Sequence, residues 1–186
     1  MRIDKRNTVA TLTMTGRIMG SFSQRRTPKR EPVLPDPAVK YPHSENRELF
    51  AFLKRGWAGG SRSKSRWEID GYPLCAHPDL LERFRTLAPA GDMAQSSAYG
   101  VPVMANSTGL VFAYARGMNQ IMLRLPRELQ QEAIDEIGRF DPTYGEDWVE
   151  FPAFGQHWGS RSDSEEALAR WIRIAYQESL KLKADI

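Results

Sequence analysis

The sequence predicts an α+β fold: an antiparallel sheet, built from a three-strand meander plus a later strand, with helices packed on one face. Three observations predict it. Residues 99–125 hold three apolar segments of strand length separated by turn residues. Two later stretches, 125–137 and 168–176, carry apolar residues at helical spacing. The composition, 41% hydrophobic and 26% charged over 186 residues, is that of a globular protein large enough for one real core.

Residues 1–43 read as a basic, proline-rich arm, disordered or peripheral to a single α+β domain over 44–186. Pro28, Pro32, Pro35 and Pro37 remove backbone donors and fix φ, which favours extended chain. Residues 8–19 alternate in part and fit a short edge strand. Ser44 suits the cap of a first helix, with Leu49, Phe50 and Leu53 facing the core and Gly56 just past its end. Residues 57–66 form a Gly/Ser loop, and a short strand fits between Trp67 and Leu74. Pro78 suits the first turn of a second helix, with His77 at its cap and Leu81, Phe84 and Ala88 on its buried stripe.

The strands of the meander are Tyr99–Met104, Leu110–Ala115 and Asn119–Leu125, with turns at Asn106–Gly109 and Arg116–Met118. Ile121, Leu123 and Leu125 share one face of the third strand, and Met122 and Arg124 share the other. Such alternation implies a half-buried antiparallel strand. A helix starts at Pro126, with Leu125, Leu129, Ala133 and Ile137 on one face and Gly138 as its cap. Trp148–Phe151 is the fourth strand. Ser162 and Glu165 have capping-box spacing before a last helix that buries Leu168, Trp171, Ile172, Ala175 and Tyr176.

Part of this pattern resembles the N-terminal domain of TfoX-type proteins and is similar to the MmcQ/YjbR group. The residues that carry it are Tyr99, Gly100, Pro102, Phe112, Ala113, Leu123, Arg124, Leu125, Pro126, Trp148, Val149 and Trp171. The resemblance covers about residues 95–180 and implies a YjbR/TfoX-N-like fold with a regulatory or interaction role rather than a catalytic one.

The formal net charge of +3 hides an asymmetry. Residues 1–67 hold 15 Lys/Arg and 5 Asp/Glu, whereas residues 68–186 hold 11 and 18. A basic half of this kind either solvates an arm or meets an anionic partner. Lys54, Arg55, Arg62, Lys64 and Arg66 give five cations without an acid, and Trp57 and Trp67 bracket them. Cations with flanking aromatics suit a phosphate backbone and stacked bases. The competing reading is a solvated loop anchored by its tryptophans.

Cys75 is the only cysteine, which excludes an internal disulfide and a cysteine metal cluster. His43, His77 and His157 show no ligand spacing, so neither metal nor cofactor is expected. His157, Trp158 and Arg161 share a loop that would serve a small pocket enzyme if they converged, with His77 the other candidate base. Glu128, Glu132 and Glu136 fall on the polar face of the helix that starts at Pro126 and read as solvated.

No apolar run approaches the ~20 residues of a membrane helix. The N-terminus lacks the apolar region and cleavage site of a secretion signal, so a cytoplasmic protein is expected. The Arg, Ser and Thr of residues 1–30 also fit organelle targeting. The functional expectation is a non-enzymatic regulatory or protein-interaction domain. The alternatives are a nucleic-acid-binding protein using the arm and the 54–67 loop, and the small pocket enzyme.

Overall fold

The structure, a computed structural model, describes residues 36–58, 67–69, 72–74, 76–89, 94–155 and 162–182. The compact unit that carries the sheet is Leu34–Ile186, and Met1–Val33 lies outside the described residues. The elements in chain order are α1 (Pro37–Lys40), α2 (Arg47–Ala58), β1 (Trp67–Ile69), β2 (Tyr72–Leu74) and α3 (Pro78–Thr86). There follow β3 (Ala94–Ala98), β4 (Val101–Ala105), β5 (Val111–Arg116), β6 (Gln120–Arg124), α4 (Arg127–Glu136), β7 (Arg139–Phe140), β8 (Trp148–Pro152) and α5 (Ser162–Ser179).

Six strands form one antiparallel sheet in the order β3-β4-β5-β6-β8-β7, and β1 pairs with β2 in a separate hairpin. The α+β class and the meander are as expected, and two edge strands are added. β3 joins β4 through Tyr99 and Gly100, both at positive φ (49° and 75°). A two-residue connection with both φ positive matches the right-handed twist of the strands it joins.

Helices cover both faces of the sheet, not one. Ile121 and Leu123 face a core shared with Leu80 and Phe84 of α3 and with Leu168, Trp171 and Ile172 of α5. Met122, Tyr114 and Val103 face a second core shared with Leu49, Phe50 and Leu53 of α2. Alternation separated the faces correctly, but Met122 and even Arg124 are buried beneath α2. The sequence marks only one of those faces as apolar because Arg124, Arg116 and Gln120 interrupt the other.

The packed unit also begins before residue 44. Asp36 caps α1 by accepting from the Ala38 amide at 3.0 Å, and Tyr41 is only 2% exposed within the α2-side core. Residues 36–43 therefore belong to the fold and not to the arm. A 3-10 turn at Ser44–Asn46 leads into α2, and its cap is His43 Nδ1, which accepts from the Glu45 amide at 3.3 Å. Gly56 lies inside the last turn of α2, which continues to Ala58.

Gly138 follows α4 as expected, and its amide donates to the Ala133 carbonyl at 2.6 Å. Close approach is what demands glycine. A Cβ there would sit 2.7 Å from the Ala133 oxygen and 2.8 Å from Val149 Cγ1. Gly138→Ala is expected to destabilise by about 1–3 kcal/mol, because α4 and β8 must separate to admit a methyl. Denaturant unfolding checks this, and an unchanged midpoint would show that the α4–β8 seam yields freely.

Candidate functional site

The candidate site is a groove between α2 and the 142–148 segment. Its floor is the end of β6 and the start of β8. The groove has a volume of about 940 Å³ and is lined by Phe52, Tyr144 and Trp148 together with charged residues. A second cavity of about 310 Å³ opens between the start of α4 and the end of α5. Glu45, Arg124 and Asp147 line both.

Local chemistry sets each wall. Asp141 accepts from the Thr143 amide at 2.9 Å and caps a 3-10 turn, Pro142–Tyr144. Those hydrogen bonds from Thr143 hold the Asp141 carboxyl below the usual carboxylate range. Gly145, at φ 98°, then turns the chain toward β8. Asp147 is fixed by its carbonyl, which accepts from the Leu125 amide at 2.9 Å. Gln130 of α4 donates to the carbonyls of Leu125 (3.0 Å) and Glu146 (2.7 Å). Arg127 pairs with Glu146 at the surface.

Arg124 is the centre of the arrangement. It pairs directly with Trp148 across the β6–β8 ladder, and its guanidinium lies 5.0 Å from the indole ring centre. Its side chain is only 9% exposed. Burial lowers its pKa, and Asp147, Glu45 and Glu48 oppose that shift. Nη2 donates to the Glu45 carbonyl at 2.9 Å. Nη1 lies 3.7 Å from Glu45 Oε2 and 3.8 Å from Asp147 Oδ2, beyond hydrogen-bond reach. Nε is buried with no hydrogen-bond partner among the described residues. A guanidinium has five donors, and among the described residues only Nη2 makes a hydrogen bond.

Beside it, Trp148 meets Tyr114 edge-on at 4.9 Å. Burial raises the Tyr114 pKa, and its hydroxyl has no hydrogen-bond partner among the described residues. Arg116 lies between Phe52 (5.7 Å) and Tyr144 (5.3 Å), so the aromatic wall of the groove is braced by a cation.

The structure disperses the residues that the sequence singled out. Lys54 and Arg55 are exposed near the end of α2, and Arg55 lies in its last turn, where a cation complements the helix dipole. Arg55 also lines the groove. Arg62, Lys64 and Arg66 lie outside the described residues, as do His157, Trp158, Arg161 and Cys75. Trp67 opens β1, and its side chain is not described. His77 caps α3, its Nδ1 accepting from the Asp79 amide at 3.2 Å. Glu128 and Glu132 are exposed, but Glu136 is engaged: it accepts from Trp171 Nε1 at 2.8 Å and pairs with Arg170.

Among the described residues, no three His, Cys, Asp or Glu side chains converge to hold a metal, and no helix is long and apolar enough to cross a membrane. Sequence reasoning missed the groove. The available signal was Arg124 itself, a charge in an otherwise apolar strand, which the register sets opposite Trp148 although the two are 24 apart in sequence. No known protein family, curated protein or solved structure matches this chain.

Proposed function

We propose that this chain is a cytoplasmic, non-enzymatic regulatory or protein-interaction module, of the kind implied by the resemblance to the TfoX N-terminal and MmcQ/YjbR families. The observation that carries the reading is the groove beneath α2, where Arg124 is buried against Trp148 and its Nε has no hydrogen-bond partner among the described residues. Aromatic residues and arginine are the side chains enriched at the energetic centres of protein interfaces. The lining alternates in sign, with Glu45, Glu48, Glu146 and Asp147 against Arg47, Arg55 and Arg124. Mixed charge of that kind suits a polypeptide surface better than a phosphate backbone, which the four acids would repel.

Affinity purification on the full chain, with and without nuclease, tests this reading. A discrete set of proteins should survive nuclease and be lost with Ala51→Glu, which places a charge in the groove at an exposed helix position. The nucleic-acid reading rests on Lys54, Arg55 and the basic stretch that follows them. It expects the reverse: capture lost on nuclease treatment and indifferent to Ala51→Glu. It also expects log K for random oligonucleotides to fall with log salt. Joint replacement of Arg62, Lys64 and Arg66 by Ala would then flatten that slope by roughly two to three.

A further inference from the structure

We propose that the cavity between the start of α4 and the end of α5 receives one Lys or Arg side chain of a partner protein. This deepens the interaction reading above and rests on it.

The chemistry of the walls points to a long, amphipathic cation. The floor is apolar, formed by Leu125, Pro126 and Leu182, the last 44% exposed. The rim carries four carboxylates, Glu45, Glu128, Asp147 and Glu178, against two cations, Arg124 and Lys181, and is therefore net negative. Lys181 is already bonded to Glu178 at 2.6 Å. Glu45 and Asp147 are about half exposed (51% and 55%) and stand 3.7 and 3.8 Å from the Arg124 guanidinium. At that separation neither carboxylate spends its lone pairs on Arg124, so both can accept from an incoming donor.

Arg124 acts here as a positioning residue. It lies between a carboxylate of the 3-10 turn before α2 and one from the segment before β8, and its own charge holds both at the cavity mouth. An anionic ligand would have to approach those carboxylates, so Coulomb repulsion disfavours it. A metal ion is disfavoured because, among the described residues, no three ligating side chains converge. A Lys or Arg stem can lie along Pro126 and Leu182 while its head reaches the rim. The volume of about 310 Å³ is at the small end for a ligand site, which suits one side chain rather than a folded element.

The test is an amide NMR titration of the full chain with N-acetyl-arginine methylamide, using N-acetyl-glutamine methylamide as the neutral control. Saturable shifts should be confined to the amides of residues 45, 124, 125, 127, 128, 147 and 178–182, with a Kd on the order of 1–10 mM. The double variant Glu128→Gln/Asp147→Asn should weaken binding about tenfold. Both side chains are exposed, so an otherwise unchanged spectrum verifies the fold. Equal shifts from the glutamine compound, indifference to the double variant, or no saturable shift up to about 50 mM would each overturn the proposal. So would sedimentation showing that a second copy fills the cavity at the concentration used. Should the protein capture sensitive to Ala51→Glu persist while the titration is silent, this inference fails alone. Loss of both sinks the interaction reading as well.

Discussion

Trp171→Ala is expected to lower the unfolding free energy by about 3–5 kcal/mol, the range for emptying a large buried aromatic site. Trp171 sits mid-helix on α5 and is fully buried. Its ring lies 6.1 Å from that of Phe151, at the centre of the core between α5 and the sheet. The indole also donates to Glu136 and so ties α5 to α4. That polar link is the smaller part of the effect, because Glu136 keeps Arg170 as a partner after truncation. The larger part is the cavity, which the close-packed neighbours Leu168, Ile172 and Phe151 cannot fill without leaving their rotamers. Trp171→Phe separates the two: it keeps most of the ring volume and should cost about 1–2 kcal/mol. Guanidinium denaturation of both variants decides it. A loss below about 1 kcal/mol for Trp171→Ala would mean that this face of α5 is not packed on the sheet.

That residue was legible because helical periodicity reports burial directly: Leu168, Trp171, Ile172 and Ala175 recur three and four apart, and all four are buried. The central strands were legible for the corresponding reason, since Ile121 and Leu123 alternate with Met122 and Arg124. β3 was not. Its residues, Ala94–Ala98, have no apolar alternation. Its hairpin turn uses Tyr99 where Asn or Asp would normally announce positive φ. The second helix layer was hidden because the α2 face of the sheet mixes Met122 and Tyr114 with Arg116, Gln120 and Arg124. Such a strand face reads as solvated until α2 covers it. The domain boundary was placed too late because four prolines outweighed Tyr41, one aromatic whose burial depends on contacts with distant residues.

The candidate groove was the least legible part, for a physical reason. Motif reasoning finds residues that are close in sequence, whereas Glu45, Arg124 and Asp147 come from three separate segments. Only the β6–β8 register, which sets Arg124 opposite Trp148, brings the last two together. The basic stretch attracted notice because its charges are contiguous, yet contiguity is also what a helix C-terminus and a solvated loop produce.

Asn46→Ala is expected to cost about 3–5 kcal/mol, through unpaired backbone rather than through lost volume. Asn46 is fully buried although it precedes α2 by a single residue. Its Nδ2 donates to the carbonyls of Tyr41 (3.1 Å) and Gly109 (2.7 Å), and its Oδ1 accepts from the Val111 amide at 2.9 Å. One side chain therefore satisfies three backbone groups and joins the entry to α2 to the β4–β5 turn. That turn is already demanding: Gly109 has φ 82°, and a Cβ there would lie 3.0 Å from Pro42 Cδ. Alanine would leave one N–H and two C=O groups buried without partners, at about 1–3 kcal/mol each. The total is held near the lower end of their sum because the segment can open to water. Exchange of the Val111 amide with solvent distinguishes this mechanism from general loosening. It should accelerate in Asn46→Ala by more than the global destabilisation accounts for, whereas in Trp171→Ala it should follow global stability alone. The two substitutions lie in different cores on opposite faces of the sheet, so their costs should add in the double variant. A cost below about 1 kcal/mol for Asn46→Ala, with Val111 exchange unchanged, would show that the α2 layer is not pinned to the sheet through this residue.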